Sequence, residues 1–277
     1  MRPPPVYALV GHPVGHSLSP LLHGAMLRLT GRAGSYVALD TAGGDGAAVV
    51  GALRTLGFAG ATLTIPLKEG ALPAVDQRAP CAARAGAVNT LVIDDNRLII
   101  GYNTDGDGLL DAVAEAGPLP SRAAVLGAGG AARGVAAALR AAGVAVTLCN
   151  RDLDRAARAA AALGCAAAPA WGEGPPLEVE LVVNCSADPG LVEAAERGGC
   201  RLVPGGLWVD TNYFRPPLGA AALVADGRRL QTGHAMLLHQ ARRAFALLTG
   251  GPAPGAAALR AALVGTAWPT DARGAPL

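Results

Sequence analysis

The chain is 277 residues long, room enough for two domains each with a core of its own. Apolar residues make up 51% of it and charged residues 16%, which excludes general disorder. With 23 Lys and Arg against 21 Asp and Glu, the formal charge of +2 gives little drive toward nucleic acid or an anionic membrane surface. The alanine-rich runs are broken by Arg54, Arg133, Arg140 and Arg158 before they reach roughly 18 residues, so no transmembrane helix is expected. The apolar run that follows Met1–Pro5 stops at Val10, too short for a signal-peptide core, so no signal peptide and a cytoplasmic protein are expected. Cys81, Cys149, Cys165, Cys185 and Cys200 are widely spaced without a C-x-x-C pair, and read as small core residues rather than disulfides or zinc ligands. The histidines do not cluster with acids or cysteines, and no metal centre is expected.

In chain order, short apolar runs alternate with helical stretches in an α/β rhythm. Tyr7–Val10 reads as a strand, Pro20–Thr30 as a helix with proline in its first turn, Ser35–Leu39 as a strand, Asp45–Leu56 as a helix and Ala61–Ile65 as a strand. Thr90–Ile93 and Leu98–Ile100 flank Asp94-Asp95-Asn96 as a hairpin, giving an antiparallel edge to a parallel unit. Asp107–Ala116 reads as a helix, and the breaker cluster Gly117-Pro118-Leu119-Pro120 marks a domain boundary. Beyond it come strand Ala123–Leu126, helix Ala131–Ala142, strand Val144–Cys149, helix Asp152–Leu163, and strands Leu181–Asn184 and Leu207–Asp210, a Rossmann-like order. Ala166–Pro176 reads as loop, and Ala235–Thr249 as an amphipathic helix.

Gly127-Ala128-Gly129-Gly130-Ala131-Ala132 fits G-x-G-x-x-A between a strand and a helix, the setting in which the motif binds a dinucleotide. The first glycine permits the sharp turn, the second lets a pyrophosphate approach the backbone, and the small residue at the third position lets helix and strand pack closely. The next strand ends in Asn150-Arg151 where NAD sites carry an acid. An arginine there pairs with a 2′-phosphate and stacks on adenine, and Arg155 adds a second positive charge, so NADP is favoured. Asp152 argues the other way and leaves NAD as the alternative.

The first half gathers polar groups at expected strand ends: Ser17 and Ser19 before a helix, Thr64 and Lys68 around Pro66, Asn89 in Gly86–Thr90, and Asp105 in Asn103–Gly106. Singly, each reads as a cap, a turn residue or a surface charge. Together and in this order they resemble the shikimate dehydrogenase family: G-x-P-x-x-H-S-x-S-P, T-x-P-x-K, G-A-V-N-T, N-T-D, the G-A-G-G-A-A-R turn, Asn150-Arg151 and Gln240 run from Gly11 almost to the end. The resemblance implies reversible NADPH-dependent reduction of 3-dehydroshikimate to shikimate in aromatic amino acid biosynthesis. It implies an α/β substrate domain of residues 1–117 and 234–277, the C-terminal helix returning to it, and an NADP-binding domain of residues 118–233. It implies that Ser17, Ser19 and Tyr213 bind the substrate carboxylate and that Thr64, Asn89, Asp105 and Gln240 hold ring hydroxyls. Lys68 and Asp105 are the implied catalytic pair, and Gly127, Gly129, Gly130, Ala131, Asn150, Arg151, Arg155 and Gly233 the implied cofactor residues. The implied partners are small molecules only, with the chain a monomer or a homodimer. An ammonium beside a carboxylate suits proton donation to the oxygen of a ketone receiving hydride.

The chain departs from the family pattern at Gly24, Thr62, Asp152, Cys185-Ser186, His234 and Phe214-Arg215-Pro216-Pro217. Three alternatives follow: a quinate dehydrogenase of the same fold, a catalytically silent ligand-sensing module, and a folate-linked dehydrogenase. Retention of Lys68 and Asp105 counts against the second, because sensing requires no proton transfer. The serine pair and N-T-D count against the third.

Overall fold

The computed structural model describes residues 3–169, 176–188, 195, 199–214, 224, 225, 227–270 and 277. Contacts divide the chain into two compact units, Met1–Gly108 with Leu237–Leu277, and Leu109–Met236.

The first unit holds β1 (Val6–Gly11), α1 (Ser19–Leu29), β2 (Ser35–Asp40), α2 (Gly46–Leu56), β3 (Gly60–Leu63), α3 (Leu67–Gly70), a 3-10 turn (Leu72–Ala74), β4 (Gln77–Arg78), α4 (Pro80–Ala85), β5 (Thr90–Ile93), β6 (Ile99–Tyr102) and the start of α5 (Asp105–Ala116). The strands form one mixed sheet, β2-β1-β3-β5-β6-β4, with β3, β5 and β6 antiparallel and the other pairs parallel. The hairpin expected at Asp94–Asn96 is present: Asp94 Oδ1 accepts the Asn96 and Leu98 N–H groups, and Arg97 takes the left-handed conformation at φ 66°. Asp45 caps α2 by accepting from the Ala47 and Ala48 N–H groups, and Gly57 ends it at φ 79°. One face of the sheet packs Ala8, Val10, Ala61 and Leu63 against Val50, Leu53 and Leu67 in a dry core.

The second unit carries β7 (Arg122–Leu126), α6 (Gly130–Ala141), β8 (Ala145–Cys149), α7 (Leu153–Leu163), β9 (Ala166–Ala167), β10 (Leu177–Asn184), β11 (Cys200–Asp210) and β12 (Arg229–Thr232). All five pairings in its sheet are parallel, in the order β12-β11-β10-β7-β8-β9, as the Rossmann-like reading requires. Its strands are apolar on both faces, as a parallel sheet covered on each side must be: Ala124 and Leu126 face one core, Ala123 and Val125 the other. Finally α8 (Gly233–Thr249) enters the first unit at Leu237, followed there by α9 (Ala256–Leu263), which packs on α1.

Several elements differ from the sequence expectation. The strand expected to reach Ile65 stops at Leu63, because Pro66 has no N–H to give a ladder and the Leu67 N–H closes a turn on the Thr64 carbonyl. The helix expected from Asp107 begins two residues earlier, at Asp105. The short elements α3, α4, β4 and β12 were not expected, since two to six residues display no period of their own. Within the stretch expected as loop, Ala166–Ala167 pairs with β8, while residues 170–175 lie outside the described residues, as do Arg215, Pro216 and Pro217. No described helix is long and apolar enough to cross a membrane.

Candidate active site

In the first unit the chemistry collects where β3, β5 and β6 hand over to the segments that follow them. Lys68 is carried on α3, whose first residue follows the Thr64–Pro66 turn, and its backbone carbonyl accepts the Val88 N–H at 2.9 Å. Asp105 is the first residue of α5. Their side chains meet: Lys68 Nζ donates to Asp105 Oδ2 at 2.6 Å, with 14% and 6% of the two side chains exposed. A charge pair so far withdrawn from water is held by geometry and by the further hydrogen bonds its members make.

Those bonds come from the residues around the pair. Asn89 Nδ2 donates to Asp105 Oδ1 at 2.8 Å and to Thr104 Oγ1 at 3.0 Å, while Asn89 Oδ1 accepts the Thr104 N–H at 2.8 Å and the Thr90 hydroxyl at 2.9 Å. Asn103 Oδ1 accepts the Asp105 N–H at 3.1 Å, and Asn103 Nδ2 donates to the Ala87 carbonyl at 3.1 Å. Asp105 therefore has both carboxylate oxygens committed and its rotamer fixed. Lys68 gives it one of three ammonium donors. Gln240, on α8, comes within 3.5 Å of the Thr104 hydroxyl, the outer limit of a hydrogen bond. Here α5 and α8 approach closely: a Cβ built on Gly108 would lie 2.5 Å from Gln240 Cβ.

Ser17 and Ser19 sit before and at the start of α1. The Ser17 hydroxyl donates to Ser19 Oγ at 3.2 Å and accepts the Ser19 N–H at 3.2 Å, so the two hydroxyls face each other. The capping role open to Ser19 on the sequence is not what it plays: Leu18 is the N-cap, with no capping bond of its own, and Ser17 Oγ takes the first helical N–H. The loop bearing the serines is tied down at its start. The His12 N–H donates to the Ile65 carbonyl at 2.8 Å, next to Thr64, and Asp40 accepts from His12 Nδ1 at 2.6 Å, from the Val14 N–H at 3.3 Å and from the Ala42 N–H at 3.0 Å. These bonds, with that to the Ala42 N–H foremost, hold the Asp40 carboxyl below its usual range. On α1, His23 is buried and its ring stacks on Tyr36 at 4.0 Å, and burial pushes its pKa down to about 3. Tyr36 in turn hydrogen-bonds Thr62.

In the second unit, Gly127 ends β7 at φ 113°, a conformation that favours glycine, and donates its N–H to the Cys149 carbonyl at 2.7 Å. Gly129 is the N-cap of α6, Gly130 and Ala131 its first residues, and no side chain occupies the cap. As N-cap, Gly129 has no side chain to offer the leading N–H groups of this 12-residue helix, and such a helix start fits a pyrophosphate. After β8, Asn150 Nδ2 donates to the Asp152 carbonyl at 3.1 Å. Asp152, on the sequence a counter-argument to NADP, is the N-cap of α7 and accepts the Arg155 N–H at 2.9 Å. Arg151 lies 82% exposed, with its guanidinium 2.8 Å from Asp188 Oδ2.

Near the ends of β10 and β11, Asn184 Nδ2 donates to Asp210 Oδ2 at 3.1 Å, while Asp210 Oδ1 accepts the N–H and Nδ2 of Asn212 at 2.8 and 3.0 Å. Burial raises the Asp210 carboxyl. Tyr213 follows, its ring 5.6 Å from that of His234, and Gly233 opens α8. His234 is held below its ordinary range by burial, and its Nδ1 is hydrogen-bonded to the Thr232 hydroxyl at 3.0 Å.

Within the first unit the structure joins Lys68, Asp105, Asn89 and Gln240 through direct bonds and Thr104, and separately joins Ser17 to Ser19. Tyr213, expected at the substrate carboxylate, belongs to the second unit, as do Gly233 and the other expected dinucleotide residues. Sequence reasoning assigned no role to Asn103, Thr104, Asp40 or Asp188. Two of these directly precede Asp105 in one polar tripeptide after an apolar strand, a local signal; the other two act through partners distant in sequence.

Residues 9–91 match the family described as shikimate dehydrogenase substrate binding domain. The shikimate dehydrogenase (NADP(+)) of Moorella thermoacetica is 42% identical over 272 residues, covering 89% of this chain and 88% of its own. That of Acidiphilium cryptum is 43% identical over 248 residues, covering 87% and 89%. The shikimate 5-dehydrogenase of Thermus thermophilus, solved with shikimate, superposes with a TM-score of 0.78 at 38% identity over 93% of this chain and 97% of that one. The same enzyme solved with NADP(H) and shikimate gives 0.77 at 38% identity, over 93% and 98%.

Proposed function

The chain belongs to the shikimate dehydrogenase family, and from that premise we infer that it catalyses the reversible NADP-dependent interconversion of 3-dehydroshikimate and shikimate, a step of aromatic amino acid biosynthesis. The observation that carries the chemistry is the Lys68–Asp105 pair at 2.6 Å, shielded from water and fixed on the carboxylate side by Asn89. A binding module has no use for a positioned proton donor; a ketone reductase requires one.

Bound NADPH supplies hydride to the ring carbonyl carbon. As that carbon is reduced, negative charge grows on the carbonyl oxygen, and Lys68 Nζ stabilises it and delivers the proton. Asp105 holds the ammonium in place throughout, while Asn89, Asn103 and the α5 backbone keep Asp105 from turning away. In oxidation the same Nζ takes the hydroxyl proton. Ser17 and Ser19 bind the substrate carboxylate with paired hydroxyls, assisted by Tyr213, and Thr64, Asn89, Asp105 and Gln240 hold ring hydroxyls. Such spaced contacts fix which ring oxygen lies against Lys68. Gly127, Gly129, Gly130 and Ala131 carry the pyrophosphate, Asn150, Arg151 and Arg155 the adenosine 2′-phosphate end, and Gly233 the nicotinamide end. Its partners are these small molecules, and its place is the cytoplasm.

Purified protein assayed at 340 nm with shikimate or quinate against NADP or NAD tests the reading. The expected outcome is reduction of NADP by shikimate, with kcat/KM at least about tenfold above either quinate or NAD. Silence in all four combinations overturns the catalytic reading in favour of a sensing module, and preference for quinate overturns the substrate.

A further inference from the structure

We propose that Asp188 determines dinucleotide specificity: its carboxylate is a resident counter-anion for Arg151, which the adenosine 2′-phosphate must displace. The inference rests on the reading of Arg151 as the residue that meets this phosphate.

The sheet order places β7 between β10 and β8, with Asn184, Leu126 and Cys149 in register at the three strand ends. Asp188 follows β10 by four residues and Arg151 follows β8 by two, so their ion pair joins the loops on either side of the Gly127 turn. A dinucleotide laid on that turn has its adenosine end at the β8 side.

The two partners are unequally held. Asp188 donates its N–H to Ser186 Oγ at 3.0 Å, Ser186 donates its own to Asn184 Oδ1 at 3.0 Å, and Asn212 Nδ2 donates to the Ser186 carbonyl at 2.9 Å. With 26% of its side chain exposed against 82% for Arg151, Asp188 is the fixed member and Arg151 the movable one. The Cys185-Ser186 departure from the family pattern lies in this loop, so the peculiarity of the chain and the counter-anion share one structure.

The electrostatic consequence depends on the ligand. A 2′-phosphate entering beside Arg151 meets a cation already neutralised and a carboxylate of its own sign, which costs affinity in proportion to its charge. The adenosine ribose of NAD carries hydroxyls in place of the phosphate, and Asp188 does not repel them. Asp188 thus weakens NADP selectively.

Calorimetric titration with adenosine 2′,5′-bisphosphate and with 5′-AMP reads this without turnover. For Asp188→Asn the bisphosphate is expected to bind about three- to tenfold more tightly at low salt, with 5′-AMP unchanged within about twofold and the gain shrinking in ~0.5 M salt. The ratio of kcat/KM for NADP over NAD should rise by the same factor. Equal shifts for both ligands, or weaker bisphosphate binding in Asp188→Asn and in Asp188→Ser, overturn the proposal. Arg151→Gln tests the premise separately: it should abolish most of the bisphosphate preference, and a preference left intact removes Arg151 from the phosphate site.

Discussion

Gly108→Ala sets two opposed effects against each other at the point where α5 meets α8. Alanine in a helix interior is intrinsically better than glycine by about 0.5–1 kcal/mol, so a solvent-facing site would gain stability. At residue 108 the added Cβ would lie 2.5 Å from Gln240 Cβ, 2.6 Å from its nitrogen and 2.7 Å from its Cα, against an ordinary contact of 3.4–4 Å. The obstructing atoms are mostly helix backbone, which cannot rotate aside, so α8 must retreat from α5 by about 1 Å. At contacts this short the upper part of the usual overpacking cost applies, about 2–3 kcal/mol, which outweighs the propensity gain and leaves a net loss of about 1–2.5 kcal/mol and a Tm lower by roughly 2–10 °C. The same retreat carries Gln240 away from the Thr104–Asn89–Asp105 network, and a displacement of about 1 Å at a positioning group costs up to ~100-fold in rate. Thermal melts and shikimate saturation curves measure both. A variant that melts at or above the parent temperature, with kcat/KM for shikimate unchanged, would falsify the helix-contact reasoning and the placement of Gln240 together.

Two further outcomes are expected. Lys68→Ala should lower kcat by about two to four orders of magnitude with the KM for NADP within about twofold, since the proton donor is lost while the dinucleotide residues are untouched; comparable loss in both would make Lys68 a binding or folding residue. Stability should fall as pH drops through the histidine range, because His23 has its folded-state value pushed down to about 3 from 6.5 by burial. Between those values the unfolded chain binds a proton that the folded chain refuses, so the slope is about 1.4 kcal/mol per pH unit, or about 2 kcal/mol lost from pH 6.5 to 5. His234, also lowered by burial, adds loss of the same sign. In urea melts His23→Phe, which preserves a ring against Tyr36, should show a shallower pH dependence than the parent; parallel curves would exclude His23 as the cause.

The sequence by itself determined the alternation of strands and helices, the glycine turn after β7, and the identities of the polar residues at strand ends, because these depend on local period and backbone freedom within a few residues. Lys68, Asp105 and Asn89 were nameable from motifs, and the N-T-D tripeptide carried Asn103 and Thr104 in plain view. The meeting of Lys68 with Asp105 was implied by family resemblance and by no local pattern; only the tertiary structure decided the geometry of that pair and the remaining partners. Lys68 and Asp105 are 37 residues apart in the chain, His12 and Asp40 28, and no pattern in either neighbourhood encodes the 2.6 Å separating each pair. Asp152 shows the limit most plainly: as a letter it is an acid near a ribose site, and in the folded chain it is a helix cap bonded to the Arg155 N–H. A side chain's composition fixes which bonds it can make, but long-range pairing fixes which it does make, since each buried donor and acceptor must find a partner among residues that the sheet order brings together.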